Sequence, residues 1–193
     1  TTASKKLNTT RQLGVNAFLK YQRGEEQVTD QNGQIGSLWY TFQQQKHDFF
    51  VCDSRTQRTA RTAENIDHKD TTLLGCEQHL ALEKWLQKPT QRTPRFVLSS
   101  SIFLPRHVSL HGSGERLASA IRVDSWDGYP MSLHRTLACF VDQKIGQAVF
   151  LSGDDHVACF AEISITNLNT SEKVHAYSAH CPGLYTPFPF ANA

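Results

Sequence analysis

The chain has 193 residues, 39% of them hydrophobic and 20% charged, with a formal net charge of +2. This length fits one domain with a core of its own, and the near-neutral balance excludes a polybasic or acidic tail and the basic footprint of a nucleic-acid binder. The longest apolar runs, Phe49-Phe50-Val51-Cys52 and Ala148-Val149-Phe150-Leu151, are far too short to cross a membrane.

Thr9 or Thr10 can cap a helix over Thr10–Tyr21, in which Leu13, Ala17 and Tyr21 share a face with Phe18. The polar stretch Arg23–Ser37 reads as a surface loop. Leu38–Phe42 alternates and Asp48–Cys52 is a short apolar run; the pair reads as two antiparallel strands, Leu38–Phe42 and His47–Cys52. A second polar stretch, Arg55–Thr72, carries Arg55, Arg58, Arg61 and Lys69 among acidic residues and also reads as a surface loop. Leu74–Leu86 is a helix capped by Thr71 or Thr72, with His79, Leu82, Trp85 and Leu86 on one face. Arg95–Ser99 is a short strand running into serines. Ser132–Lys144 is a third helix, with Leu133, Leu137, Phe140 and Val141 in register and Gly146 as its stop. Gln147–Ser152 is a compact buried strand. Val157–Ile165 alternates, with Val157, Cys159, Ala161, Ile163 and Ile165 to one side and Phe160 and Glu162 to the other. The order Arg95–Ser99, Ser132–Lys144, Gln147–Ser152 predicts a βαβ crossover, and the whole a layered α/β or α+β domain over residues 1–193.

The five cysteines (Cys52, Cys76, Cys139, Cys159, Cys181) are odd in number and none has C-x-x-C spacing, which argues against a zinc knuckle or a redox dithiol. Cys52, Cys139 and Cys159 lie in apolar periodic segments and read as small buried hydrophobes. Reduced thiols point to a cytoplasmic location. The chain starts at Thr1 without Met and stops in an aromatic-rich stretch, so a fragment of a longer protein is expected.

The chemistry concentrates after the strand Gln147–Ser152, in Gly153-Asp154-Asp155-His156. Layered α/β proteins place ligands at the carboxyl ends of strands. In extended backbone Asp154 and His156 point to the same side, where carboxylate and imidazole suit one cation or two neighbouring ones: iron, manganese or zinc, with the carboxylate also tolerating calcium or magnesium. Gly153 is read as permitting a turn that a side chain would block. The alternative is an ordinary Gly-Asp turn joining two strands.

Asp124-Ser125-Trp126-Asp127-Gly128-Tyr129, then a helix, then Val149-Phe150-Leu151-Ser152-Gly153-Asp154-Asp155-His156, resembles the C-terminal half of the PhoD-like alkaline phosphatases of the calcineurin-like metallophosphatase superfamily. Phe50-Val51-Cys52-Asp53-Ser54-Arg55 followed by Arg58 is similar to that family's strand ending in Asp-x-Arg-x-x-Arg. Leu74-Gly75-Cys76-Glu77-Gln78 with Trp85-Leu86 is similar to its Leu-Gly-x-x-Gln…Trp-Leu helix, and Cys181-Pro182-Gly183-Leu184-Tyr185 with Pro187-Phe188-Pro189 also fits. The resemblance implies part of a four-layer sandwich of mixed β-sheet with flanking helices. It implies hydrolysis of phosphate monoesters and diesters by a metal-activated hydroxide, with iron, calcium, zinc or manganese as the metal. Asp154 and His156 then stand at the positions of the superfamily's final metal-ligand loop, and Asp155 is not a ligand. The family's other ligand motifs, which would precede the first helix, are absent here. The implied partners are therefore a phosphate ester and a missing N-terminal half, with self-association in its absence and little or no activity for this piece alone.

Arg55 follows a strand end and could meet a phosphate oxygen, or could pair with Asp53 or Glu64 to pin its loop. Trp126 and Tyr129 flank Asp127 and could wall a substrate pocket, or Trp126 could pack in the core. His134 reads as a surface or half-buried histidine and His180-Cys181 lacks a second ligand pair at zinc spacing. Ser99-Ser100-Ser101 is not a nucleophile elbow, and Gly112-Ser113-Gly114 lacks the Lys of a P-loop. A non-catalytic module of the same fold, binding a ligand or partner, is the competing reading.

Overall fold

Two periods of apolar residues, near two and near 3.6, divide the chain into strands and helices as the sequence predicts, with shifted ends. The computed structural model describes residues 2–24, 37–89, 94–104, 123–154 and 158–183. The chain forms two units, Thr1–Leu38 and Trp39–Ala193. The first holds helix α1 (Thr2–Phe18), continued by one wider turn over Leu19–Arg23 and stopped at Gly24, whose φ of 68° is left-handed. α1 starts well before Thr10, because Ala3, Lys5, Lys6 and Leu7 are good helix formers and nothing there breaks the helix. Its buried residues are Val15 and Leu19, whereas Leu13, Phe18 and Tyr21 are exposed. Both sets have helical spacing, so the period alone could not say which one is buried.

The second unit is built on one six-stranded mixed sheet. Its strands are β1 (Tyr40–Gln44), β2 (His47–Val51), β3 (Arg95–Ser99), β4 (Ala148–Ser152), β5 (Cys159–Thr166) and β6 (Lys173–His180), in the order β1-β2-β3-β4-β6-β5. β2, β3, β4 and β6 run parallel, while the outer strands β1 and β5 pair antiparallel to their neighbours. The crossover from β3 to β4 carries helix α3 (Pro130–Asp142), as the sequence order requires. Helix α2 (Gly75–Leu86) precedes β3. Sheet and helices make the layered α+β class expected from the sequence.

Registration puts Phe50, Val97, Phe150 and Ala148 with Ala176 on one face of the sheet. Leu82, Trp85 and Leu86 of α2 and Leu133, Phe140 and Val141 of α3 pack into the same core, together with Phe103, Trp126 and Tyr129. The opposite face carries a row of stacked rings, Phe42–Phe49–Phe96, with centroids 4.5 and 5.1 Å apart, and Phe160 stacked on Tyr177 at the far edge. Phe160 is 71% exposed.

Two local departures from the sequence reading, at the ends of α3, have physical causes. α3 begins at Pro130, whose fixed φ suits the first helical turn. It ends by a pair of bonds, Ile145 N–H to the Phe140 carbonyl (2.8 Å) and Lys144 N–H to that of Val141 (3.2 Å). In this arrangement the left-handed residue is Lys144, at φ 51°, and not Gly146; burial of Ile145 beside Phe140 holds it there. β4 and β5 are not neighbours, because β6 lies between them. Among the described residues no helix is long and apolar enough to cross a membrane. The five cysteines are free, and burial, with the charge of Asp53, pushes the Cys52 thiol far above its usual range.

Candidate active site at the carboxyl edge of the sheet

Four parallel strands bring their carboxyl ends to one edge, so the segments after β2, β3, β4 and β6 meet there. After β2, Cys52 N–H extends the ladder to the Leu98 carbonyl at 2.8 Å, and the chain then turns at Asp53. The buried Asp53 carboxylate accepts the N–H groups of Arg55 (3.0 Å) and Thr56 (2.9 Å) and the Thr56 hydroxyl. The fully buried Gln78 on α2 clamps the same turn. Its Oε1 accepts Asp53 N–H at 2.8 Å, and its Nε2 donates to the carbonyls of Asp53 and Leu74, each at 3.0 Å. Gly75, one turn before Gln78, has φ 72°, and a Cβ there would lie 3.1 Å from Gln57 Oε1, so only glycine fits without strain.

The Arg55–Thr72 stretch, expected as a surface loop, aims its arginines at this edge. Arg58 Nε donates to the Ser54 carbonyl at 2.7 Å and its Nη1 reaches Asp124. Arg55 Nη1 also reaches Asp124, and its Nη2 lies 3.5 Å from Asp154 Oδ2. The Arg55 guanidinium therefore pairs with Asp124 and Asp154, not with Glu64 or Asp53, whose carboxylate takes the Arg55 backbone N–H instead. Burial pushes the Asp124 carboxyl up, but the hydrogen bonds and charges of Arg58 and Arg55 outweigh it and hold the group below the usual carboxylate range. Arg61 donates to the Gly128 carbonyl at 2.7 Å and lies over the Tyr129 ring at 4.3 Å.

Trp126 is fully buried, with its Nε1–H on Ser99 Oγ at 3.1 Å and its ring against Phe103 and Phe150. It packs in the core. Tyr129 is 1% exposed and donates its hydroxyl to the Thr59 carbonyl at 3.0 Å, so it fastens the arginine loop. His134 is exposed.

After β4, Gly153 does not have a left-handed φ; Asp154 does, at 88°. The segment is thus not extended at Asp154, and the simple alternation that put Asp154 and His156 on one side does not apply there. Aspartate is among the residues that tolerate this region. Asp154 is 68% exposed, turned toward Arg55. Asp155 and His156 lie outside the described residues. His180 at the end of β6, buried, shares a hydrogen bond of 3.0 Å between its Nδ1 and Ser152 Oγ and so stands at the base of the Asp154 turn. Neither β6 nor this role of His180 was read from the sequence.

Among the described residues no three of His, Cys, Asp and Glu gather into a metal-ligating group. Asp154 fits as one carboxylate arm for a hard cation, being exposed and opposed by a single loose ion pair, but the described residues do not complete a shell.

A family model described as PhoD-like phosphatase matches residues 1–179. A solved structure described as "Structure of PhoD" is similar in fold, with a TM-score of 0.61 and 20% identity, over 85% of this chain and 33% of that one. The chain therefore spans about a third of the length of that relative. No curated protein matches the chain.

Proposed function

The chain belongs to the PhoD-like phosphatase family, and from that premise we propose that it forms the C-terminal part of a metal-dependent phosphoric ester hydrolase acting on monoesters or diesters. What supports this most is the meeting of Arg55, Arg58, Asp124 and Asp154 at the carboxyl edge of a sheet that resembles that of PhoD. In this reading Asp154 and His156 hold one side of the metal centre, and the rest of the shell comes from a part of the protein beyond this chain. Iron, calcium, zinc or manganese would each accept such ligands; when bound, the metal supplies Lewis acidity and an activated nucleophile.

The chain's own contribution is electrostatic. Two arginines face two carboxylates here, so the edge is balanced as it stands. A cation engaging Asp154 would compete with Arg55 for the carboxylate and leave that guanidinium available to a phosphate oxygen. Arg58 is pinned by the Ser54 carbonyl and Asp124, so it keeps the loop and Arg55 in place. Arg55→Ala is expected to lower kcat/KM for an aryl phosphate by about ten- to a hundredfold in the full-length protein, with Arg55→Lys recovering part of it. Unchanged kinetics in both variants would remove Arg55 from the site.

The sheet face bearing Phe42, Phe49, Phe96, Tyr177 and Phe160 is where the missing part would pack, since a layered domain must cover both faces of its sheet. The isolated chain is expected to self-associate through this face, and sedimentation velocity checks it. A monodisperse monomer with a cooperative melt would contradict that expectation and favour a complete small domain binding a ligand or partner without catalysis.

A further inference from the structure

The turn that carries Arg55 is held from below by a side chain of α2. The ladder between β2 and β3 ends with Cys52 N–H on the Leu98 carbonyl. At the next residue, Asp53, Gln78 takes over from the strand. Its Oε1 accepts Asp53 N–H at 2.8 Å and its Nε2 donates to the Asp53 carbonyl at 3.0 Å. A primary amide offers one residue both an acceptor and a donor, as a neighbouring peptide unit would. The second Nε2 proton goes to the Leu74 carbonyl, also at 3.0 Å. Reversing the amide would set a donor against Asp53 N–H and an oxygen against two carbonyls, so its orientation is fixed. Gln78 and Asp53 are both buried, so deleting the amide costs two main-chain groups a partner away from water.

From Asp53 the constraint passes to Arg55. The Asp53 carboxylate accepts the N–H groups of Arg55 and Thr56 and the Thr56 hydroxyl, a side-chain-closed turn typical of aspartate. The far end of Arg55 is held differently, by Asp124 and Asp154. Once a cation takes Asp154, the guanidinium keeps Asp124 and its own backbone anchor. Its aim then depends on where the Asp53 turn stands, and Gln78 sets that.

We propose that Gln78 is a positioning residue for phosphoester hydrolysis, acting through the Asp53 turn on the aim of Arg55. This rests on Arg55 meeting a phosphate oxygen, as proposed above. A displacement of about 1 Å at such a group can cost up to about a hundredfold in rate.

The test is a double-mutant cycle in the full-length protein, with kcat and KM for an aryl phosphate taken per folded molecule. Gln78→Leu keeps the approximate volume and removes the amide. Alone, it is expected to lower kcat/KM about three- to tenfold, with metal content unchanged. In the Arg55→Ala background it is expected to change kcat/KM by less than about twofold, because the group it aims is gone. A side chain that only stabilised the fold would leave kcat/KM per folded molecule unchanged in both backgrounds. Thr56→Val breaks the same turn more mildly and carries the cycle if Gln78→Leu does not fold. It is expected to cost about two- to fivefold, again only when Arg55 is present, and Thr56→Ser to recover most of the loss. Equal losses with and without Arg55, or no loss in either background, would overturn the proposal and leave Arg55 in the site. No effect of Arg55→Ala itself would instead overturn the reading of Arg55, and the proposal with it.

Discussion

Trp126→Ala is expected to destabilise the Trp39–Ala193 unit by about 3–5 kcal/mol, the range for deleting a buried large aromatic. The ring has no exposed surface and packs edge-on against Phe103, Phe150 and His79, so its removal leaves a cavity where α2, β4 and the loop before α3 meet. Trp126→Phe keeps most of the volume and loses chiefly the Nε1 bond to Ser99, which is expected to cost about 1–2 kcal/mol. Urea denaturation of the two variants checks both figures. The pair also separates packing from catalysis: a core residue leaves KM for an aryl phosphate unchanged in Trp126→Phe, whereas a residue walling the substrate pocket would raise it.

Stability is also expected to fall by about 3 kcal/mol as pH drops from 6.5 to 4, through one buried histidine. His79 on α2 is 1% exposed and sits against Thr136, Glu83 and Trp126. The Thr136 hydroxyl donates to the Ser132 carbonyl, so it accepts from His79 Nε2–H and fixes the neutral tautomer. Among the described residues the buried His79 Nδ1 has no partner, so a second proton there would have nothing to bond. Burial first, then the charge of Arg135, lower the imidazole from 6.5 to about 4, against a smaller opposing effect of Glu83. The folded state therefore keeps His79 neutral while the unfolded chain takes up a proton below 6.5. The contribution is fully present above that value and is lost as pH falls toward 4. His79→Gln cannot titrate, and its stability, taken relative to its own value at pH 7, is expected to lose this slope. An unchanged slope would assign the acid sensitivity to other groups, Asp124 among them.

The sequence carried the framework and much less of the site. β2, α2, β3, α3 and β4 were legible because each has one apolar stripe at its own period, and the strand–helix–strand order then admits a parallel crossover. β6 escaped because its buried positions are Ala176, Ser178 and His180, small or polar residues that give no hydrophobic alternation. Asp154 was legible as a chemical group at a strand end. Its partner was not, because Arg55 reaches it through the parallel stacking of β2, β3 and β4, a relation no local pattern encodes. The same holds for Arg55 with Asp124, 69 residues apart. Trp126 and Tyr129 were ambiguous for another reason: an aromatic residue before a helix has the same sequence signature whether it walls a cleft or fills a core, and it takes the fold to bring Trp126 against Phe103 and Phe150 and the Tyr129 hydroxyl to the Thr59 carbonyl. Gln78 shows the reverse case. Its two bonds to Asp53 and one to the Leu74 carbonyl explain why a buried polar residue sits on an apolar helix face.

The central claim is that the turn after β4 holds one side of a metal centre used for phosphoester hydrolysis. It is tested most directly by elemental analysis of the full-length protein carrying Asp154→Ala or His156→Ala, with aryl phosphate turnover measured on the same samples. Each variant is expected to remain folded, because a lost ligand is commonly replaced by water, and to lose about ten- to a hundredfold in metal affinity, with turnover falling in step. Asp155→Ala is expected to do less. Metal content and turnover unchanged in both Asp154→Ala and His156→Ala would contradict the account and leave residues 153–156 an ordinary strand connection.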